Sequence, residues 1–252
     1  MVYFPISLGG MIGVVLSAAF VYWEVGRFAA PQVPRSLFDE KRELLAYTAG
    51  LFVGIPLTLP FLFFLAALSN SALLGALLLL VFLVAGTELA QWVLLRTKYF
   101  GQGASAPFYA LGFRAGIAGI LVLALVAQYL VGPSITFAGV GLVLLQSVAL
   151  ILLQGAGALL SLRIPQPSHG SRGGPWSGAI LTSVGFFLIG FGSLYDPLIG
   201  AVGAGIAIVG AVFVYGRFRT ILAKVPPPEG LRGRPKDDQV SRFGRTDRGG
   251  RP

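Results

Sequence analysis

Two ionisable residues, Glu88 and Arg114, lie within long apolar stretches where charged side chains are uncommon. The short polar segment between them, which includes Gly101, predicts a turn between two antiparallel helices. Each charged residue lies eight positions from the nearer helix end, at Arg96 or Ala106. Eight residues correspond to about 12 Å at the rise of an α-helix. An isolated charge at that depth costs several kcal/mol, so we expect the two side chains to face a bundle interior and form an ion pair.

Uncharged polar residues recur near these two charges. Gln91 is one turn after Glu88, and Gln128 follows Arg114 by fourteen residues, which places it on nearly the same helix face. Gln154 lies about eight residues from the end of a later apolar stretch, at the depth of the charged pair. We therefore predict a polar intramembrane site made of Glu88, Gln91, Arg114, Gln128 and Gln154.

Further hydroxyl groups accompany this predicted site. Ser147 and Ser161 flank Gln154 at seven-residue spacing, and Thr182 and Ser183 reach a similar depth in the next apolar stretch. Two interpretations stay open. The polar groups form a cavity that faces the cytoplasm, because ionisable residues inside a membrane commonly mark function. Alternatively, they join helices through hydrogen bonds worth about 0.6 to 2 kcal/mol each.

Catalytic and cofactor chemistry finds little support in the residues. The chain has no cysteine and a single histidine, His169, so thiol catalysis, iron–sulfur ligation and a zinc or haem site are not expected. No paired acidic motif for metal-dependent chemistry is visible. The last apolar stretch has no lysine to hold retinal as a Schiff base, which argues against a rhodopsin-like protein. We predict no catalytic residue, no metal site and no cofactor.

The composition predicts an all-α, polytopic transmembrane bundle. Hydrophobic residues make up 55% of the 252 residues and charged residues only 12%, with a mean hydropathy of +0.80. Open backbone is too costly in lipid, so these apolar stretches must be helices. A capping box at Ser36 and Asp39 predicts the start of the second helix. About seven stretches are long enough to span a bilayer, at residues 5–24, 44–68, 72–95, 107–131, 135–162, 177–194 and 198–215.

Basic residues predict the orientation of this bundle. Four lie in the first loop, two at 96–98, two at 163–172 and ten from residue 217 onward, whereas the other connections have none. Positive charge marks the cytoplasmic side, so we expect the N-terminus outside the cell membrane and the C-terminus in the cytoplasm. Residues 1–222 form the predicted transmembrane domain, and residues 223–252 a disordered, basic tail rich in proline and glycine.

The expected partners follow from these two regions. The bundle lies in the lipid bilayer, and its Gly- and Ala-rich faces suit contact with partner membrane subunits. The basic tail is expected to bind anionic lipid headgroups. Arg232-Gly233-Arg234-Pro235 resembles the core of an A·T-hook, so nucleic acid is a weaker alternative. Two functions are compatible with the sequence: a small transporter or channel-like protein, or a non-catalytic subunit or scaffold of a larger membrane complex.

Overall fold

The computed structural model describes residues 3–24, 39–70, 72–97, 99–100, 105–131, 136–162, 175–195 and 197–222. The described residues form α-helices and contain no strand. The helices are α1 (Tyr3–Glu24), α2 (Glu40–Ser69), α3 (Leu73–Arg96), α4 (Ala106–Val131), α5 (Phe137–Ser161), α6 (Pro175–Tyr195) and α7 (Pro197–Leu222). The predicted basic tail, 223–252, lies outside the described residues.

Five of these helices, α2, α3, α4, α5 and α7, are long and apolar enough to cross a membrane. In α1 and α6 the described apolar segments are shorter, Ser7–Trp23 and Trp176–Gly190. These helices indicate a membrane-embedded, all-helical protein. The count of seven spans and the orientation stay predictions.

Helix α4 is the centre of the bundle. In the most apolar stretch of α4, 83% of the residues are buried. In the corresponding stretches of the other four long helices, only 28% to 44% of the residues are buried. Helices α1 and α2 pack along α4 on one side, and α3 and α5 also contact it. A residue on α4 can therefore face other helices in nearly every direction, which makes α4 the element able to hold a polar group away from lipid.

Small residues let α1 and α2 approach the backbone of α4. A Cβ atom at Gly13 of α1 would overlap the carbonyl oxygen of Gly119, and a Cβ atom at Gly116 of α4 would overlap the carbonyl oxygen of Tyr47. Close backbone approach at small residues is the usual packing mode of transmembrane helices. The Ser17 hydroxyl and the Tyr47 hydroxyl, 2.8 Å apart, add a hydrogen bond between α1 and α2.

The start of α2 differs from the predicted capping box. The N-cap is Asp39, whose side chain accepts a hydrogen bond of 3.0 Å from the backbone N–H of Lys41. Ser36, the other residue of the predicted capping box, lies outside the described residues. Asp39 can cap the helix alone because its carboxylate reaches the unpaired N–H groups of the first turn. From there α2 continues through Pro56 and Pro60 to Ser69 as one helix.

Candidate polar site in the bundle interior

Arg114 occupies the interior of the bundle with no exposed surface, and it is the largest fully buried side chain among the described residues. Its three guanidinium nitrogens each contact a different acceptor. Nε donates to Oε1 of Gln91 at 2.6 Å, and Nη1 donates to Oε1 of Gln154 at 2.9 Å. Nη2 forms an ion pair with Oε1 of Glu88 at 2.5 Å. These contacts offset the cost of burying the charge, because charge-assisted hydrogen bonds are the strong ones in a dry interior.

Glu88 connects α3 to two other helices. One carboxylate oxygen contacts Arg114 on α4, and the other accepts a hydrogen bond of 2.8 Å from the Ser161 hydroxyl on α5. The Glu88 side chain keeps 14% of its surface exposed, whereas Arg114 has none. Glu88 is therefore the charged member of the pair that can be reached from outside the packed interior.

Helix periodicity explains why these residues meet. Glu88 and Gln91 are one turn apart on α3, and Gln154 and Ser161 are two turns apart on α5, so each pair lies on one face of its helix. The Gln91 amide also donates to the Ala158 carbonyl, 3.3 Å away, between the two α5 residues. We call Glu88, Gln91, Arg114, Gln154 and Ser161 the Arg114 cluster. It joins α3, α4 and α5 and has no net charge.

Other polar residues from the sequence lie elsewhere. Gln128, although on a similar face of α4, is exposed near the far end of the helix, about 21 Å of helical rise from Arg114. It does not belong to the Arg114 cluster, because equal helix phase does not bring together residues at opposite ends. Ser147 is buried but donates to the Val143 carbonyl of its own helix at 2.7 Å.

Two buried polar atoms near the Arg114 cluster have no hydrogen-bond partner among the described residues. They are Nε2 of Gln154 and the hydroxyl of Thr182, and both side chains are fully buried. Thr182 belongs to α6 and lies against Gly157, one turn from Gln154 along α5. Buried groups of this kind usually have an ordered water or a ligand as partner. An amide and a hydroxyl without a protein partner therefore lie on the α5–α6 side of the cluster.

The chemistry open to this cluster is binding and proton exchange. In the described residues no group of three or more His, Cys, Asp or Glu side chains could hold a metal ion. The Glu88 carboxylate contacts both Arg114 and Ser161, so a change at this one group would alter both contacts.

Glu43 is a buried acid that the sequence interpretation missed. Its neighbours in the sequence are charged residues such as Lys41 and Arg42, yet only 5% of its surface is exposed. A signal was available, because residues 43, 47, 50 and 54 follow helical spacing and share the buried face of α2.

The sequence matches no protein-family model, and no curated protein or solved structure matches the chain.

Proposed function

We propose that this protein is a small transporter of the cell membrane whose internal site is the Arg114 cluster. The observation that carries the proposal is the position of Glu88. The Glu88 side chain, which keeps 14% of its surface exposed, contacts Arg114 on α4 with one carboxylate oxygen and Ser161 on α5 with the other. Protonation or ligand binding at this one residue would then weaken the contacts of α3 with both neighbouring helices, and Gln91 would keep its contacts with Arg114 and Ala158. Acidic residues inside a membrane bundle commonly act in such relays.

The unpartnered atoms of Gln154 and Thr182 support the same proposal. A transporter needs donors and acceptors that the protein itself does not fully occupy, because these must replace the water around a solute. Within the Arg114 cluster the charged groups are paired with each other, while an amide and a nearby hydroxyl are free to bind. A small polar or charged solute fits this chemistry.

A second candidate function is a non-catalytic membrane subunit or scaffold, and a different observation favours it. Every guanidinium nitrogen of Arg114 already contacts a protein acceptor. An arginine that contacts an acceptor with each of these nitrogens can act as a fixed joint between α3, α4 and α5. In that case the solvent exposure of the Arg114 cluster would not change during function.

Cysteine accessibility distinguishes the two functions, because the chain has no native cysteine. We would place single cysteines at Ala158, beside the Arg114 cluster, and at Ser161, within it. Labelling by impermeant thiol reagents would then be measured in right-side-out and inverted vesicles. A transporter that alternates its access should label at least one of these positions from both sides. Labelling from one side only, or none, would support the scaffold.

The matched control is Ala156→Cys on the same helix. Ala156 is also fully buried but packs in a separate apolar cluster with Phe108 and Tyr215. It should stay unlabelled from both sides. Reaction at Ala156 as fast as at Ser161 would mean that the helix opens as a whole, and the specific access argument would fail.

For the tail, we propose attachment to anionic lipid headgroups. Residues 217–252 carry ten basic and four acidic residues. Basic segments next to a membrane gain about 1 kcal/mol per well-placed lysine or arginine from anionic lipid. Contact with partner subunits remains a proposal that the Gly- and Ala-rich composition supports, and nucleic acid is the weaker alternative for the tail.

A further inference from the structure

Glu43 is a buried acid on a different side of α4 from the Arg114 cluster. Its side chain is packed between α2 and α4, where a Cβ atom at Gly112 would overlap the Glu43 carboxyl group. Gly112 and Arg114 are two residues apart, which is about 3 Å along the helix axis and about 200° around it. The two acids Glu43 and Glu88 therefore approach α4 at a similar height from nearly opposite directions.

Both carboxyl oxygens of Glu43 are buried and have no hydrogen-bond partner among the described residues. This contrasts with Glu88, whose two oxygens contact Arg114 and Ser161. An ionised carboxylate removed from water needs a counter-charge or hydrogen-bond donors, and without them the charged form is strongly disfavoured.

Among the described residues, no ion pair joins Glu43 to a charged group on the surrounding helices; Lys41 is exposed, and the other charged and titratable groups make contacts elsewhere. On α2 itself, Arg42 forms an ion pair with Asp39 at 3.3 Å and donates to the Tyr99 carbonyl at 3.1 Å. The Tyr47 hydroxyl, one turn along α2, bonds with Ser17 of α1.

The remaining groups belong to α4 and α3. The Tyr109 hydroxyl of α4 accepts from the Asp39 backbone N–H at 3.4 Å, and Arg114 binds within its own cluster. On α3, Arg96 stacks over the Trp92 ring, 3.9 Å from its centroid, and Glu88 is paired with Arg114. None of these contacts neutralises Glu43.

We propose that Glu43 is a proton-binding site: its carboxyl group holds a proton while α2 and α4 are packed, and loss of that proton loosens the α2–α4 interface. On loss of the proton the carboxyl O–H bond breaks and a new O–H bond forms on a water molecule; the return of the proton reverses both changes, and no other reactant is needed. The neutral acid can remain beside Gly112 without a counter-charge. This inference rests on the burial of Glu43 and does not depend on the Arg114 cluster or on transport.

The decisive variant is Glu43→Gln, which has the shape of the protonated acid and no charge. We expect its thermal midpoint in detergent at neutral pH to equal or exceed that of the wild-type protein. Glu88→Gln is the contrast, because it removes a paired carboxylate and should lower the midpoint by more than about 2 °C. Glu40→Gln, at an exposed acid on the same turn of α2, is the matched control and should leave the midpoint unchanged.

The pH dependence gives a second measurement. If the folded protein holds a proton that the unfolded chain releases, raising the pH from about 6 to about 9 should lower the wild-type midpoint. Glu43→Gln should reduce this slope, and Glu40→Gln should not. Infrared difference spectra between wild type and Glu43→Gln should show the carbonyl stretch of a protonated carboxylic acid.

The opposite results would overturn the proposal. Unfolding of the Glu43→Gln variant would count against a neutral acid, because glutamine preserves the size and the lack of charge of that form. A midpoint loss as large as that of Glu88→Gln would indicate an anionic Glu43 with a cationic partner. A carboxylate band in place of the acid carbonyl would lead to the same conclusion.

Discussion

Arg114 is tolerated in the bundle interior because the protein supplies one acceptor for each guanidinium nitrogen. Two acceptors are neutral amides, and only Glu88 provides a compensating charge. Removing one partner from a buried ion pair leaves the other charge buried without a counter-charge, which typically costs about 3 to 5 kcal/mol of stability. The contribution of each of these residues to the stability of the folded protein therefore depends on its partner being present.

A double-mutant cycle tests this dependence. Glu88→Gln should destabilise the protein by about 3 kcal/mol, because Arg114 keeps its charge among neutral acceptors. Arg114→Gln should cause a comparable loss, and the double variant should recover much of it. Thermal unfolding in detergent measures the coupling. Gln128→Ala, at an exposed position of α4, should have little effect. Additive losses without recovery would show that the two residues are not coupled.

At the scale of the helix, α4 depends on its small residues. α1 and α2 contact it through backbone atoms, so added side-chain atoms at the contact points cannot be accommodated by rotating a side chain. Backbone shifts of this kind commonly cost about 1 to 3 kcal/mol. Glycine itself disfavours a helix by about 1 kcal/mol relative to alanine, so its presence at these sites reflects packing.

Gly116→Ala and Gly141→Ala separate these two effects. The Gly116 change places a methyl group on the Tyr47 carbonyl of α2 and should destabilise the protein by about 1 to 3 kcal/mol. A Cβ atom at Gly141 of α5 meets nothing within 4 Å, so that variant should be neutral or slightly stabilising. Thermal midpoints provide the comparison. Equal destabilisation by both variants would contradict the packing explanation.

At the scale of the whole molecule, cysteine labelling tests the orientation in the membrane that the basic residues predict. Single cysteines at positions 70 and 196 should react with an impermeant thiol reagent on intact cells, because their loops carry no positive charge. Cysteines at 98 and 169 should react only after the cells are permeabilised. Reaction at 98 or 169 in intact cells, with 70 and 196 protected, would reverse the orientation.

The tail can be tested apart from the bundle, because α7 ends at Leu222. A peptide of residues 223–252 should bind anionic vesicles more tightly than neutral ones, and added salt should weaken the binding because it screens charge beyond about 10 Å. The same peptide with its arginines replaced by glutamine is the control. Equal binding to neutral and anionic vesicles would exclude the lipid proposal. Preference for A·T-rich duplex over other DNA would support nucleic acid instead.

Composition and apolar length were sufficient to predict the helices and most of their ends. The predicted fourth stretch, 107–131, agrees with Ala106–Val131, and the third, 72–95, agrees with Leu73–Arg96. The depth of Glu88 and Arg114 also indicated that they would meet, because a short turn places residues equally far from it side by side. Burial in lipid allows few alternatives to a helix, so these features depend on local sequence.

Tertiary structure decides which face of each helix is buried and which face lies toward lipid. A helix that is apolar on all sides gives no hydrophobic contrast between its lipid face and its buried face. For that reason the sequence grouped Gln128 with Arg114 and did not single out Glu43, whereas the structure exposes the former and buries the latter. Which helices surround α4, and which polar groups lack a partner there, depends on contacts between residues far apart in the chain. Only the packed bundle fixes those contacts.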